Sequence, residues 1–384
     1  MRNNGIVMLI KNGFKNKDLM NVTIANFFFT IAGTVFWLIT ANIIKPAIYG
    51  ELSYYFSLSL LLGYIATLGL HTTVSTYYPK ERNPDLVGAS LLVTVVTAGI
   101  FSIFTSIITT IYVSLLLIGT AIYVVSTYVL LGEQQYGLYS KAVVFARIIQ
   151  IGSSILLYFV LDWPGVLLGF VLGYLSVGLF FINKIRLSNP FPILKSKIPF
   201  IKYAFIANAL YMLNYHMDRI IIGFFFENAI LGYYQLAIQA FRALAFIPVS
   251  IFQYLLPQKA AGSISKNVEF AGIVLAAILS AATIVLSPFI IPIVAPEYTP
   301  TILLFQIMVI GLIPETLIMI KLAGAFGKEK PFDAVKIYLV GFLGELIFLP
   351  ILGGLYGIIG LGVATIIIRV FMLLTVYHTQ YNGF

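Results

Sequence analysis

From Leu86 to Gly132 the chain runs for 47 residues without one Asp, Glu, Lys or Arg. As a single α-helix that run would be roughly 70 Å long, more than twice the ~30 Å hydrocarbon core of a bilayer. It therefore predicts two spanning helices joined by a turn near Thr109–Tyr112. Uncharged or nearly uncharged runs of membrane length recur on both sides: Leu19–Ile44, Leu52–Pro79, Ala142–Leu161, Val166–Asn183, Tyr203–Phe226, Asn228–Pro257, Phe270–Pro296, Tyr298–Ile320, Ile337–Gly353 and Leu355–Tyr377. Twelve spans result. Of 384 residues, 60% are hydrophobic and 10% charged, whereas soluble domains are about a quarter charged. Twelve helices of about 20 residues consume roughly 240, which leaves no room for a soluble catalytic domain. The expected fold is an all-α polytopic membrane protein.

Lys and Arg accumulate on the cytoplasmic side of membrane proteins. Eighteen of the 23 fall on the N-terminal segment and the even-to-odd connections, including Arg2, Lys11, Lys15, Lys17 and five within Lys184–Lys202. Lys45 alone falls on the other side, and four arginines lie inside spans. Both termini are therefore expected in the cytoplasm, in a cytoplasmic membrane. This bias also accounts for the net charge of +9, so no nucleic-acid partner is expected. The first apolar run exceeds a signal-peptide core and lacks a small-residue cleavage site, so no cleavable signal is expected. There is no cysteine, and His71, His216 and His378 lack metal-ligand spacing. No phosphate-binding Gly-Lys-Ser/Thr loop and no HExxH sequence occurs. Neither an enzyme nor a resident cofactor is expected.

A faint duplication divides the chain. Ile48-Tyr49-Gly50-Glu51-Leu52-Ser53-Tyr54 precedes a helix ending at Tyr78-Pro79-Lys80; six helices later Ile230-Leu231-Gly232-Tyr233-Tyr234 precedes one ending at Leu256-Pro257-Gln258-Lys259. An even number of spans between copies gives both the same orientation, a parallel repeat. The expectation is two six-helix lobes, 1–183 and 203–384, joined by a cytoplasmic linker at 184–202 that carries Pro190, Pro192 and Pro199.

Three stretches resemble the oligosaccharide (Wzx-type) flippases of the multidrug/oligosaccharidyl-lipid/polysaccharide exporter superfamily. They are Ile44-Lys45-Pro46-Ala47-Ile48-Tyr49-Gly50-Glu51 with Ala66-Thr67-Leu68-Gly69-Leu70; Gly132-Glu133-Gln134-Gln135-Tyr136; and Met217-Asp218-Arg219-Ile220-Ile221-Ile222-Gly223 with Leu231-Gly232-Tyr233-Tyr234-Gln235-Leu236-Ala237 and Pro257. The resemblance implies a monomeric transporter for polysaccharide biosynthesis. It would move a lipid-diphosphate-linked oligosaccharide through the membrane by alternating access between two lobes. A drug/cation antiporter of the same superfamily is the alternative; a membrane glycan polymerase or glycosyltransferase would need a large outer loop that is missing here.

Ionisable groups inside spans are costly and mark function by default. Counting 1.5 Å per residue places Arg147, Arg242 and Arg369 each about 21 Å below the outer surface. Guanidinium matches phosphate oxygens with paired hydrogen bonds, so these three are the expected substrate-binding residues. Asp218 and Glu345 count to about 12 Å, and Thr365 to about 15 Å. The resemblance implies a driving Na⁺ or H⁺ here; it rests most firmly on Asp218 in its Asp-Arg-Ile-Ile context, while Glu345 and Thr365 rest on depth. Asp218 and Arg219 are adjacent and point about 100° apart on a helix, so one of them is expected in a structural pair. Glu315 is read as a structural acid near a span end, and His216 as a packed, hydrogen-bonded residue. The Gly165, Gly169, Gly173 face reads as close helix packing.

The absence of cysteine makes the topology directly testable. Single cysteines placed in 184–202 should resist an impermeant thiol reagent in intact cells and react after permeabilisation; labelling from outside would overturn the orientation.

Overall fold

The computed structural model describes residues 17–180, 189–260, 266–327 and 332–381. Arg2, Lys11, Lys15, Lys184, Arg186, Lys328 and Lys330 of the basic-side tally, and the first part of the 184–202 linker, lie outside the described residues. The described residues form helices and turns without a strand.

In chain order the helices are α1 (Lys17–Ile43), α2 (Pro46–Ala66), α3 (Leu70–Glu81), α4 (Pro84–Ile108), α5 (Ile111–Gly132), α6 (Tyr136–Leu161), α7 (Trp163–Ser176), α8 (Pro190–Lys195), α9 (Ile198–Phe225), α10 (Asn228–Ala260), α11 (Lys266–Val294), α12 (Thr301–Ile310), α13 (Leu312–Gly327) and α14 (Phe332–Tyr381). Nine are long and apolar enough to cross a membrane, counting α12 with α13 as Thr301–Ala325; the bent pair α2–α3 makes ten. The 50-residue α14 is two antiparallel limbs. Gly357 has φ 57°, outside the helical region, and a Cβ on Gly360, Gly344 or Gly341 would meet Leu352, Ile368 or Met372 respectively. These pairs fold back about Tyr356–Gly357. α9, 28 residues long, is not among these apolar helices; counted with it and the second limb of α14, the described residues supply twelve helical segments of spanning length.

Turn chemistry accounts for the breaks. The long uncharged run reverses at Thr109–Thr110, where the Thr109 hydroxyl donates to the Thr105 carbonyl at 2.7 Å. Asp162, at φ 61°, separates α6 from α7 and accepts a hydrogen bond from the Trp163 amide at 2.9 Å. The Leu52–Pro79 span is not continuous: Leu68 (φ 50°) and Gly69 (φ 76°) bend it by 43°. Such breaks expose backbone groups that lipid cannot satisfy, and the Thr97 hydroxyl supplies a donor to the Ala66 carbonyl at 2.5 Å. Gly69 is required twice over, since a Cβ there would also press on the Phe205 amide nitrogen. The α6–α7 hairpin packs backbone to backbone as the glycine face anticipates: side chains on Gly165 or Gly169 would collide with the Leu157 carbonyl and the Ser154 backbone, and one on Gly173 with Gln150. The Ser154 hydroxyl crosses the same seam to the Val166 carbonyl at 3.0 Å.

Two compact units emerge, the described parts of Met1–Gly33 with Leu58–Ala209 and of Thr34–Ser57 with Leu210–Phe384. In the first, Glu81 and Lys197 form a 2.7 Å ion pair. In the second, the two copies of the duplicated motif meet. A Cβ on Gly50 would strike the Asn228 carbonyl and the Gly232 nitrogen; one on Gly232 would strike the Pro46 carbonyl. Around this crossing Tyr49, fully buried, donates to the Trp37 carbonyl at 3.1 Å, and Tyr298 donates to the Ile44 carbonyl at 2.7 Å. The rings of Tyr49 and Tyr298 meet edge-to-face at 5.5 Å, and Asn42 donates to the Val294 carbonyl.

Gly50→Ala should therefore cost about 1–3 kcal/mol through overpacking and lower the thermal midpoint in detergent. Gly99→Ala, where a Cβ meets nothing within 4 Å, should leave it unchanged or raise it; equal effects would refute the crossing.

Candidate substrate and ion site

All but one of the expected site residues lie in the second compact unit. α9 contributes Tyr215, His216, Asp218 and Arg219; α10 contributes Tyr234, Phe241 and Arg242; α13 contributes Glu315; the limbs of α14 contribute Glu345, Thr365 and Arg369.

Asp218 is buried and its carboxylate is fully engaged. Oδ1 accepts from the Arg219 amide at 2.8 Å and from Arg219 Nε at 3.1 Å, and Oδ2 accepts from the Tyr234 hydroxyl at 3.0 Å. The structural pair expected for one of these neighbours is the pair of them, because the aspartate folds back over its own backbone. Arg219 is 1% exposed; its Nη2 donates to the Tyr215 carbonyl and lies 3.4 Å from His216 Nδ1. His216 is buried as expected, edge-to-face with the Tyr215 ring at 5.0 Å.

Arg242 converges on the same Tyr215. Its Nη2 donates to the Tyr215 carbonyl at 2.7 Å, and its guanidinium sits 3.8 Å from the Tyr215 ring centroid. Two guanidiniums thus share one carbonyl, and among the described residues Arg242 has no carboxylate within ion-pair distance. Separate arginine and acid layers are not observed in this part of the molecule. Counting along each helix locates Cα atoms, whereas an arginine side chain reaches more than one helical turn.

Arg369 also departs from its expected setting. The sequence offered no acid beside it in its own span, yet its Nε lies 3.4 Å from Oε2 of Glu315 on α13. Its Nη1 donates to the Thr365 carbonyl at 3.0 Å, and its guanidinium lies 4.3 Å from the Phe241 ring centroid. Glu315, read from the sequence as a structural acid near a span end, is thus paired with Arg369. The interruption of the span at Gly311 places it in the first turn of α13, where a carboxylate suits the helix N-terminus. Glu345 is 9% exposed, its Oε2 has no hydrogen-bond partner among the described residues, and it interacts electrostatically with Asp218, Arg369, Arg219 and Arg242. Thr365 is buried, and its hydroxyl donates to the Gly362 carbonyl at 2.7 Å rather than to either acid.

Arg147 belongs to the first compact unit. It is buried, donates to Gln150 Oε1 at 2.7 Å and covers the Phe29 ring at 3.4 Å. Gly33 permits this: a Cβ there would stand 3.2 Å from Nη2. Tyr215, Tyr234 and Phe241 were not anticipated. The signal for Tyr215 and Phe241 was an aromatic residue beside or one turn from an intramembrane arginine or aspartate; Tyr234, eight residues before Arg242, stood only within the Leu231–Ala237 motif.

No family model matches the chain, and no curated protein matches it. Among solved structures it resembles the lipid II flippase MurJ in an inward closed conformation, with TM-score 0.75 at 15% identity over 94% of this chain and 87% of that one. It also resembles an inward-facing multidrug resistance MATE family transporter of the MOP superfamily, with TM-score 0.72 at 14% identity over 96% and 99%. A third is the MATE transporter ClbM in complex with Rb⁺, with TM-score 0.53 at 16% identity over 94% and 92%. The chain shares its fold with these membrane transporters and flippases.

The Asp218 network predicts its own energetics. Tyr234→Phe removes one donor to a buried carboxylate and should cost about 1–3 kcal/mol. In a double-mutant cycle with Asp218→Asn, thermal unfolding should show coupling of at least ~0.5 kcal/mol; additive losses would contradict the hydrogen bond.

Proposed function

We propose that the protein is a flippase that carries a lipid-diphosphate-linked oligosaccharide across the cytoplasmic membrane by alternating access between two sets of six spans joined through residues 184–202. The observation that carries this reading is Arg242: a half-buried guanidinium inside a span, oriented by the carbonyl and ring of Tyr215, with no carboxylate within ion-pair distance among the described residues. Asp218 and Glu345 compensate this charge only from beyond ion-pair distance; incompletely compensated buried charge is costly, and an anionic substrate passing the site supplies the direct partner. Arg369, stacked on the Phe241 ring, and Arg147, stacked on the Phe29 ring, are the further candidates for phosphate recognition, since guanidinium pairs its hydrogen bonds with phosphate oxygens. The likeness to a lipid II flippase supports a lipid-linked substrate.

Transport is driven by Na⁺ or H⁺ at Asp218, Glu345 and Thr365. Both Asp218 oxygens already accept hydrogen bonds, so the ion's charge falls chiefly to Glu345, whose Oε2 has no hydrogen bond. The protein acts as a monomer. A drug/cation antiporter, favoured by the likeness to the MATE transporters, would use the acids and have no need of Arg242.

Proteoliposome transport of a polyprenyl-diphosphate-linked sugar tests the reading. Arg242→Ala should lower the rate about 100-fold or more, consistent with losing about 3 kcal/mol of charge-assisted binding, and Arg242→Lys should restore part of it. A folded Arg242→Ala variant transporting at the parental rate would overturn the substrate assignment, and ion-driven efflux of organic cations in its place would establish the antiporter.

A further inference from the structure

We propose that Glu315 is a specificity filter that keeps single-charge phosphodiester lipids off Arg369. This rests on the reading of the substrate as a lipid diphosphate. A flippase for such a lipid works in a bilayer made of phospholipids, whose phosphodiesters present the same oxygens to a guanidinium in vast excess. Arginine alone cannot tell the two apart, and discrimination requires something that opposes the wrong ligand.

Glu315 has the properties of that opposing element. It stands 3.4 Å from Arg369 Nε, yet Nε makes no hydrogen bond among the described residues. The pair is an ion pair without a directed hydrogen bond, unlike the 3.1 Å hydrogen-bonded pair of Asp218 and Arg219. Both side chains are partly accessible, 14% for Arg369 and 21% for Glu315, whereas Arg219 is 1% exposed. Arg369 is held in place independently, through Nη1 on the Thr365 carbonyl and its stack on Phe241. Gly311, one turn before Glu315, sits against the arginine's stem, where a Cβ would be 3.1 Å from Cδ. Losing the carboxylate contact would therefore leave Arg369 in position.

The selectivity follows from charge. A phosphodiester that takes Glu315's place exchanges one negative charge for another and strands the carboxylate, so it gains little. A lipid diphosphate ester brings two negative charges. Arg369 lies over Phe241 of α10, Arg242 is held on Tyr215 of α9, and both guanidiniums are close enough to Glu345 to interact with it electrostatically. A diphosphate can engage both, and the second interaction offsets the displaced carboxylate.

The experiment compares two probes in proteoliposomes: a polyprenyl-diphosphate-linked sugar and a headgroup-labelled phosphatidylglycerol. Wild type should move the diphosphate selectively. With the diphosphate at a saturating level, where its second interaction has already overcome Glu315, Glu315→Gln should leave its rate within about twofold and raise the phosphatidylglycerol rate, measured below saturation, about tenfold, equivalent to about 1.4 kcal/mol. Glu315→Asp keeps the charge on a shorter arm and should fall between; it decides the matter if the glutamine variant does not fold. Undiminished selectivity in the folded variants overturns the filter and leaves the flippase reading intact. Absence of preference in wild type overturns the substrate reading, and the filter with it.

Discussion

A backbone carbonyl inside a bilayer has to be given a donor, and Tyr215's is given two guanidiniums at once. That arrangement organises the second compact unit. Arg219 and Arg242 come from different helices, so the shared carbonyl fastens α9 to α10 through charge. Asp218 then balances Arg219, and Tyr234 closes the far side of that carboxylate. Arg242 is left oriented and without a carboxylate beside it, and only because the other three groups have satisfied one another. In water such a cluster would be worth little; in low dielectric the same contacts are strong, and each omission is costly.

The features legible in the sequence were those set by local chemistry and by length. The 47-residue uncharged run had to fold in two, and it does so at Thr109–Thr110. The turn at Asp162 and the backbone packing of Gly165, Gly169 and Gly173 followed from the properties of those residues. The α2–α3 bend was not legible, because Leu68 and Gly69 carry no break signal beyond one glycine and the Phe205 backbone that closes against Gly69 lies far along the chain. The site was legible by residue and not by pairing. Asp218, Arg242, Glu345 and Arg369 stand out because charge is rare in spans. Who meets whom depends on side-chain reach and on helices distant in sequence, as with Arg369 and Glu315.

The second unit also shows how differently two ion pairs can serve one site. Asp218–Arg219 is short, buried and hydrogen-bonded on every side, which makes it framework. Arg369–Glu315 is longer, accessible and lacks a directed hydrogen bond. Glu345 interacts with both, and its Oε2 has no hydrogen-bond partner among the described residues. Hydrogen-bonded, loosely paired and unfilled charges are thus placed together within the second compact unit.

The reciprocal glycines of the duplicated motif have a consequence for how such a chain can change. Gly50 is notched by the backbone carrying Gly232, and Gly232 by the backbone just before Gly50. Neither copy can acquire a side chain while the other keeps its course. Most positions of such a chain can change one at a time; these two can change only together, because each helix course is set by the bare backbone of the other.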